Sequence, residues 1–464
     1  MTLPDTAASL PTPLLSPRYR WATIGMVSLI FLAAFEALAV TTIMPTVSAD
    51  LDGRAWFSAA FSVTLAASVV GMVAGGMWAD RSGPNLPLLA SVGGFSLGLL
   101  LAGLAPSIEL FVAARFLQGL GTGAMTVALY VLVARHYAPV DHPGIFGAFA
   151  AAWVVPSMVG PTVAGVVAEA TSWRWVFLGV VALSLAATAA MLPVLRAAVE
   201  PPDAGRAPSR GRLALSAVVA LAVVGLDLAG RSRGALGYAA AVVSLAVVLV
   251  AVRPLLPAGT LVVRRGLPAV VALRGAIAAT FFATEIYLPY LLQAHYDVPA
   301  WLSGATLTVG ALGWAGASQV QARMGTRLAH VTALRIGAVM LFAGIGSELA
   351  CTALHLSPWL VGVAWVLAGA GMGLMFPRIS AYVLAASGAH EQGGNSAAMS
   401  IADAVGGATA ISLAGLLFTA VGTAADLAPF VAALAFTTVL AGGAVLVARR
   451  TSTAPVSRPV ATTR

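Results

Sequence analysis

Long apolar runs separated by short polar breaks dominate the chain from residue 20 to residue 450. A helix that crosses a bilayer needs about 20 mostly apolar residues, and runs of this length predict transmembrane helices. Fourteen such runs occur, at 21–45, 55–78, 86–105, 109–134, 144–168, 173–195, 213–230, 235–253, 267–293, 300–321, 328–352, 358–386, 396–420 and 427–448. The pattern predicts an all-α integral membrane protein. The two weakest runs are 213–230 and 235–253, and twelve spans would remain if that pair lay on the surface.

The composition supports this interpretation and excludes a soluble catalytic domain. Hydrophobic residues make up 59% of the chain, charged residues 9%, and the mean hydropathy is +0.93. The net charge of +8 comes from arginines scattered between apolar runs, which does not resemble a nucleic-acid-binding patch. The single cysteine, Cys351, and six histidines in or near predicted loops offer no metal site. We expect no cofactor and no metal.

The arginines also predict the orientation. With the N-terminus in the cytoplasm, seventeen of the 25 basic residues face that side, whereas Arg54, Arg174, Arg231 and Arg233 fall outside. This positive-inside bias predicts that both termini are cytoplasmic. The expected location is the cell inner (plasma) membrane, as a multi-pass protein. The long first apolar run predicts a retained span instead of a cleaved signal peptide.

Six charged residues lie well inside apolar runs, where each costs about 2.5–3.5 kcal/mol if it faces lipid. They must therefore face a cavity, a partner or water; they are Glu36, Arg115, Arg274, Glu285, Glu348 and Asp403. At 1.5 Å per residue, Glu36 and Arg115 lie within one helical turn in depth, and Glu285 shares their level. Asp227 is interpreted as an end-of-span residue without a functional role.

A polar stripe follows the fourth run. Its members, at spacings of three or four residues, share one helix face and predict a water-lined path: Arg115, Gln118, Thr122, Thr126 and Tyr130.

Two local motifs carry a family resemblance. After the second run, Gly76, Asp80, Arg81 and Gly83 resemble the cytoplasmic loop motif of the major facilitator superfamily, although Pro84 and Asn85 replace its later basic residues. The stretch 115–124, Arg-Phe-Leu-Gln-Gly-Leu-Gly-Thr-Gly-Ala, is similar to the fourth-span motif of the same superfamily.

Further features resemble the fourteen-span drug:proton antiporters of that superfamily. In the fifth run, Gly147, Gly160, Pro161 and Gly165 fall where that branch has its antiporter motif, with Pro156 and Ala164 in place of two glycines. Glu36 occupies the place of its first-span aspartate. A weak internal repeat at an offset of 242 relates Ser318, Ala322, Arg323 and Gly325 to the loop motif.

The resemblance implies two six-helix bundles plus two central extra helices. The expected division is a cytoplasmic tail (1–20), an N-terminal bundle (21–195), a loop (196–212), two extra helices (213–253), a linker (254–266), a C-terminal bundle (267–448) and a cytoplasmic tail (449–464).

The same resemblance implies proton-coupled export of amphipathic drugs or toxic compounds by alternating access, and no enzymatic activity. The expected proton-coupling residues are Glu36, Arg115, Glu285 and Asp403, because a change in separation or hydration of such buried charges loads and releases a proton. The expected substrate cavity is lined by Gln118, Thr122, Thr126, Tyr287, Tyr290 and Gln293. No phosphate-binding loop with its lysine is found, so the energy source is expected to be the proton gradient.

Two alternatives stay open. A major facilitator transporter for one metabolite would use Arg115 and Arg274 as anion anchors, and a membrane sensor would bind a ligand without flux. The expected partners are small amphipathic substrates, protons and the lipid bilayer, with no nucleic acid and a functional monomer. Glycine patterns at 119–121 and 369–373 are interpreted as helix packing and not as dinucleotide loops.

Overall fold

The computed structural model describes residues 12–196, 210–230, 234–387 and 392–451. Across these ranges the chain is helical and has no strand, and fourteen α-helices follow one another. They are α1 (Arg20–Asp50), α2 (Ala59–Ser82), α3 (Asn85–Gly103), α4 (Ile108–His136), α5 (His142–Ala170), α6 (Arg174–Arg196), α7 (Arg210–Ala229), α8 (Ala235–Val252), α9 (Leu267–Tyr296), α10 (Ala300–Met324), α11 (His330–Ala353), α12 (Pro358–Ala385), α13 (Gln392–Val421) and α14 (Ala428–Ala448). Each predicted apolar run therefore coincides with one helix.

Thirteen of the described helices are long and apolar enough to cross a membrane. The exception is α10, which has 25 residues but contains many Gly, Ser and Thr residues that dilute its apolar character. Its neighbours are α5, α9 and α12, so packing against protein compensates for the weaker preference for lipid. The all-α membrane fold is confirmed. The tenth predicted span, 300–321, is a helix as expected, but its composition is less apolar than that of the other thirteen.

The helices pack in two groups. Helices α1 to α6 contact one another, as do α9 to α14, while α7 pairs with α8 and also contacts α2 and α13. The groups meet through α5 with α10, α2 with α13, and α1 with α9 and α10. We call the side where α1 begins and α14 ends the terminal face, and the opposite side the closed face.

Small residues set how closely α4 approaches its neighbours. A Cβ atom added to Gly121 would lie 2.8 Å from the Ser91 carbonyl oxygen of α3, and one on Gly123 would lie 2.8 Å from the Ser68 Cα atom of α2. Real Cβ atoms essentially never approach other atoms this closely, so only glycine at positions 121 and 123 permits α4 to lie this near to α3 and α2. The interpretation of these glycines as packing residues is confirmed.

The segment before α1 docks on the terminal face. The Thr12 amide donates to Asp141 Oδ1 at 2.7 Å, and the Tyr19 ring stacks on Tyr137 with 4.4 Å between centroids. The Tyr137 hydroxyl lies 2.7 Å from the Thr23 hydroxyl, and burial raises the pKa of Tyr137 to about 12. Tyr137 is therefore a neutral hydrogen-bonding group at any physiological pH.

Candidate functional site

A buried ion pair joins α1 to α4 in the middle of the first helix group. Arg115 Nη1 contacts Glu36 Oε1, and both residues are only 3% exposed. The depth expectation for this pair is confirmed. Because both charges are withdrawn from water, each is tolerated only through the other and through further hydrogen bonds.

Two more groups hold the guanidinium of Arg115 in place. Its Nε donates to the Ala60 carbonyl oxygen of α2 at 3.1 Å, and Nη1 also donates to Gln118 Oε1 at 2.5 Å. The amide nitrogen of Gln118 is buried and has no hydrogen-bond partner among the described residues. A donor left without an acceptor carries a desolvation cost, which an incoming acceptor or water relieves.

The polar stripe of α4 changes from buried to exposed along its length. Arg115 and Gln118 are buried, Thr122 and Thr126 are half-buried, and Tyr130 is 47% exposed. Both threonine hydroxyls donate to the carbonyl oxygens one turn earlier on the same helix, at 3.0 and 2.9 Å. Because α4 runs towards the terminal face, exposure along the stripe increases in that direction, as a cleft opening there requires.

Glu285 of α9 is a second buried carboxylate of the central region. It is 9% exposed and has no hydrogen bond or ion pair within the part of the chain that the structure describes. It does not join the pair formed by Glu36 and Arg115, although its expected depth is similar. Equal depth does not bring side chains together unless the helices also turn them towards each other.

Asp403 lies apart from Glu36 and forms its own ion pair. Arg274 Nε donates to both oxygens of Asp403, at 2.6 and 2.7 Å, and the guanidinium carbon lies 3.1 Å from the ring centroid of Phe376. This pair ties α9 to α13 and stacks on α12. Arg274 is therefore neutralised by a carboxylate and covered by a ring, which leaves it poorly placed as an anion anchor.

Three residues expected in the substrate cavity contact the first helix group or α13 near the closed face, where Tyr287 and Tyr290 also line a small pocket. Tyr290 stacks on Phe57 of α2 at 4.3 Å, and Tyr287 stacks on Phe418 of α13 at 5.3 Å. Gln293 donates to the Thr42 carbonyl oxygen of α1 at 2.9 Å. These side chains join the two helix groups near the closed face.

The antiporter motif of α5 continues this contact between the helix groups towards α10. A Cβ on Gly304 of α10 would lie 2.6 Å from the Pro161 carbonyl oxygen, and one on Gly165 would lie 2.8 Å from the Ala300 carbonyl carbon. Gly160 faces the Phe35 ring of α1 at 3.3 Å. The fourth motif residue, Gly147, has no atom within 4 Å of its built Cβ and does not take part in this contact.

The loop motif after α2 lies on the terminal face. Gly83 has a φ of +77°, a backbone conformation that favours glycine, and its built Cβ lies 3.7 Å from Arg135 Nη1. Asp80 and Arg81 are exposed and form no ion pair with another described residue. Gly76 is also loosely packed, and Gly75 is instead the residue in tight contact, 2.7 Å from the Ala124 Cα atom.

Sequence reasoning missed two polar contacts. Asp227 lies two residues before the end of α7, as predicted, but it is also buried and accepts hydrogen bonds from Ser62 at 2.5 Å and Ser58 at 3.4 Å, which were not predicted. The sequence did contain a signal for this contact, because Ser58 and Ser62 are four residues apart and therefore lie on the same side of α2, where both can reach one acceptor.

The second missed contact centres on Arg378 of α12. Its guanidinium donates to the Gln321 side chain at 2.7 Å and to the carbonyl oxygens of Leu328 and Gly325 at 2.6 and 3.1 Å. These bonds hold the connection between α10 and α11, where the internal repeat has lost the aspartate of the loop motif. Arg378 therefore donates to the carbonyl oxygens of Leu328 and Gly325 in a connection where Ala322 stands in place of the motif's aspartate.

Comparisons with known proteins agree with this architecture. The family model described as Major Facilitator Superfamily matches residues 26–411. A probable actinorhodin transporter of Streptomyces coelicolor is 27% identical over an alignment 450 positions long, which covers 89% of this chain and 75% of that protein. An uncharacterized MFS-type transporter of Mycobacterium tuberculosis is 32% identical over 204 residues, which are 43% of this chain. The chain spans only 29% of the length of this second relative.

A solved structure of an auto-inhibited POT family peptide transporter superposes with a TM-score of 0.68 at 16% identity, covering 94% of this chain and 99% of the other. At this identity the likeness shows the fold alone. Together with the family match, the helical architecture identifies the chain as a multi-pass membrane protein of the major facilitator superfamily, a family of transporters and not of enzymes.

Proposed function

We propose that the chain is a proton-coupled secondary transporter that exports amphipathic compounds. The observation that carries this proposal is the buried pair of Glu36 and Arg115 at the buried end of a polar stripe that becomes exposed towards the terminal face. We infer a cleft along this stripe that offers a protonatable carboxylate and a fixed cation, with the carboxyl group of Glu285 as a second acid on α9. No nucleotide is needed, and the proton gradient supplies the energy.

Proton loading would act on the ion pair. In its charged form Glu36 accepts from Arg115 and holds α1 against α4. A proton on Glu36 removes the charge attraction and leaves Arg115 bound only to Ala60 and Gln118. The change alters how α1 packs on α4, and a difference in proton affinity between the two open states is what couples transport to the gradient.

The same proposal covers topology and assembly. The terminal face would be cytoplasmic and the membrane the plasma membrane, so the cleft described above opens to the cytoplasm, and the closed face seals the outside. One chain contains both helix groups, so a monomer suffices for alternating access.

The test is flux of ethidium, a fluorescent aromatic cation, in proteoliposomes under an imposed pH gradient. Wild type should move ethidium against its concentration gradient only when the pH gradient is present, and Glu36→Gln should abolish this uphill movement. Asp297→Asn is the matched control, because Asp297 is an exposed carboxylate beyond α9 with a φ of +51° that Asn tolerates. A Glu36→Gln variant that still concentrates ethidium would contradict the coupling role.

The similarity to a probable actinorhodin transporter, which covers 89% of this chain, favours one second candidate, export of a natural product. Actinorhodin itself is the probe in a parallel assay. Transport of actinorhodin without transport of ethidium would replace multidrug export by this narrower function. If the folded wild type transports neither compound, both proposed functions are excluded.

A further inference from the structure

Glu348 of α11 is buried more completely than any other acidic residue in the described part of the chain. It is 0% exposed, and neither oxygen of its carboxyl group has a hydrogen-bond partner among the described residues. One helical turn later, the hydroxyl of Thr352 is also fully buried and without a partner. Residues four apart on a helix share a face, so two unpartnered oxygen-bearing side chains lie next to each other.

The helices packed against α11 bring no compensating charge to this position. Helix α14 contains no titratable residue, and the titratable residues of α12 are Arg378 and Tyr382. Both lie at least 20 residues from the closed-face end of α12, whereas Glu348 is five residues, about 7.5 Å, from the corresponding end of α11. They are therefore more than 20 Å away in depth.

Helix α9 has only a small contact with α11, and its titratable groups in this half are Glu285, Tyr287, Tyr290, His295 and Tyr296. On α11 itself, His330 and Arg335 lie near the terminal face, and Cys351 follows Glu348 by three residues. None of these groups forms an ion pair or a hydrogen bond with Glu348 in the described structure.

An ionised carboxylate in such surroundings is far more costly than a neutral carboxylic acid. We propose that Glu348 and Thr352 form a proton-binding site inside the second helix group, separate from the central cleft, and that Glu348 carries this proton in the folded protein. The acid O–H then becomes a hydrogen-bond donor, and the Thr352 hydroxyl is the nearest unpartnered acceptor on the same helix face.

This proton is resident and not transported. Helices α12 and α14, which cover α11, belong to the same group as α11. A movement of one helix group relative to the other therefore leaves Glu348 buried, unlike Glu36 and Glu285, which lie in the central region between α1, α4 and α9. The site is independent of the proposed export function and stands even if transport is driven by another ion.

Infrared spectroscopy of the full chain in lipid nanodiscs tests the proposal directly. Wild type at pH 8 should show the carbonyl stretch of a protonated carboxylic acid, and Glu348→Gln should lose that band. Glu285→Gln is the matched control, because it removes the other partnerless buried carboxyl group and should leave the Glu348 band unchanged. Identical spectra of wild type and Glu348→Gln would overturn the proposal.

The pH dependence of thermal unfolding gives a second measurement. A carboxyl group that binds its proton more tightly in the folded than in the unfolded state makes unfolding easier as the pH rises above about 4.3, by up to tenfold in the unfolding constant per pH unit. Between pH 5 and pH 8 wild type should lose this stability and Glu348→Gln should not. A parallel pH dependence of the two proteins would contradict the site.

Two further outcomes keep the test decisive. Sodium ions that stabilise wild type at pH 8, with no acid band in its spectrum, would replace the proton by a bound cation and overturn the proposal. Should Glu348→Gln fail to fold, Glu348→Asp is the second variant. It retracts the acid by one methylene and should shift the band, so an unshifted band would assign the signal to another residue.

Discussion

Ser62 of α2 donates a hydrogen bond of 2.5 Å to Asp227 of α7, and this bond fastens the inserted helix pair to the first helix group. The inserted helix pair, α7 and α8, also contacts the second helix group. There the Thr419 hydroxyl of α13 donates to the Gly230 carbonyl oxygen, which follows α7, at 3.2 Å. The inserted pair α7 and α8 therefore bridges both groups near the closed face, next to the aromatic contacts formed around Tyr287 and Phe57.

Asp227→Ala should loosen this bridge. Hydrogen bonds to a charged acceptor contribute about 1.5–3 kcal/mol each, so the loss should lower the unfolding free energy by about 2–3 kcal/mol. Hydrogen exchange should show faster exchange in α7 and in the first turns of α2. The conservative variant Asp227→Asn keeps one oxygen acceptor and should lose less. Equal protection of α7 in wild type and Asp227→Ala would show that the bond does not hold the inserted helix pair.

The central ion pair predicts a non-additive double-mutant cycle. Glu36→Gln or Arg115→Gln alone leaves one buried charge without its partner, which should cost about 3–5 kcal/mol of stability. The double variant removes both charges and should recover most of that loss in a thermal unfolding assay. It should still fail to couple ethidium flux to the pH gradient.

The two readouts separate the structural role of the pair from its transport role. Additive destabilisation in the double variant would mean that the two side chains do not depend on each other for burial. Restored stability together with restored coupling would assign proton transfer to another group, with Glu285 as the next residue to replace.

Helix α12 offers a third prediction. Arg378→Ala removes the guanidinium bonds to Gln321, Leu328 and Gly325, so residues 325–328 should exchange faster and the protein should lose about 2–4 kcal/mol of stability. Arg378→Lys should rescue little, because one ammonium group cannot reproduce the fork of a guanidinium that spans several acceptors. Full rescue by lysine would show that only the positive charge matters there.

The fold could be predicted from the sequence because long apolar runs in a bilayer have few alternatives to helix. The contact between Glu36 and Arg115 was also predictable, since both the depth and the unfavourable burial of charge require a partner at that level. Glu285 shows the limit of this argument: depth fixes a level along the helix axis and leaves the rotation of the helix undetermined.

The role of the residues near the closed face could not be predicted for a different reason. Tyr290 and Gln293 have the chemistry of cavity residues, and they also join the two helix groups, which meet at that end. Which end is closed depends on contacts between helices far apart in sequence, such as Gln293 with Thr42. The serine contacts of Asp227 were not predicted for the same reason, because Ser62 lies 165 residues away.

Gly165 and Gly147 belong to the same sequence motif and should behave in opposite ways. A leucine at position 165 would collide with the backbone of α10 at Trp301, whereas a side chain at position 147 meets no atom within 4 Å. Overpacking costs about 1–3 kcal/mol, which corresponds to roughly a five- to hundred-fold shift away from the closed arrangement. We therefore expect Gly165→Leu to make the closed face leaky and Gly147→Leu to leave it tight.

The measurement is passive proton influx into proteoliposomes that contain a pH-sensitive dye, with an imposed gradient and no substrate. Gly165→Leu should dissipate the gradient faster than wild type at equal protein content, and Gly147→Leu should match wild type. Because both variants introduce the same side chain into the same helix, a general loss of helix stability would affect both. Equal leak from the two variants would therefore show that close packing of α5 on α10 does not seal the protein.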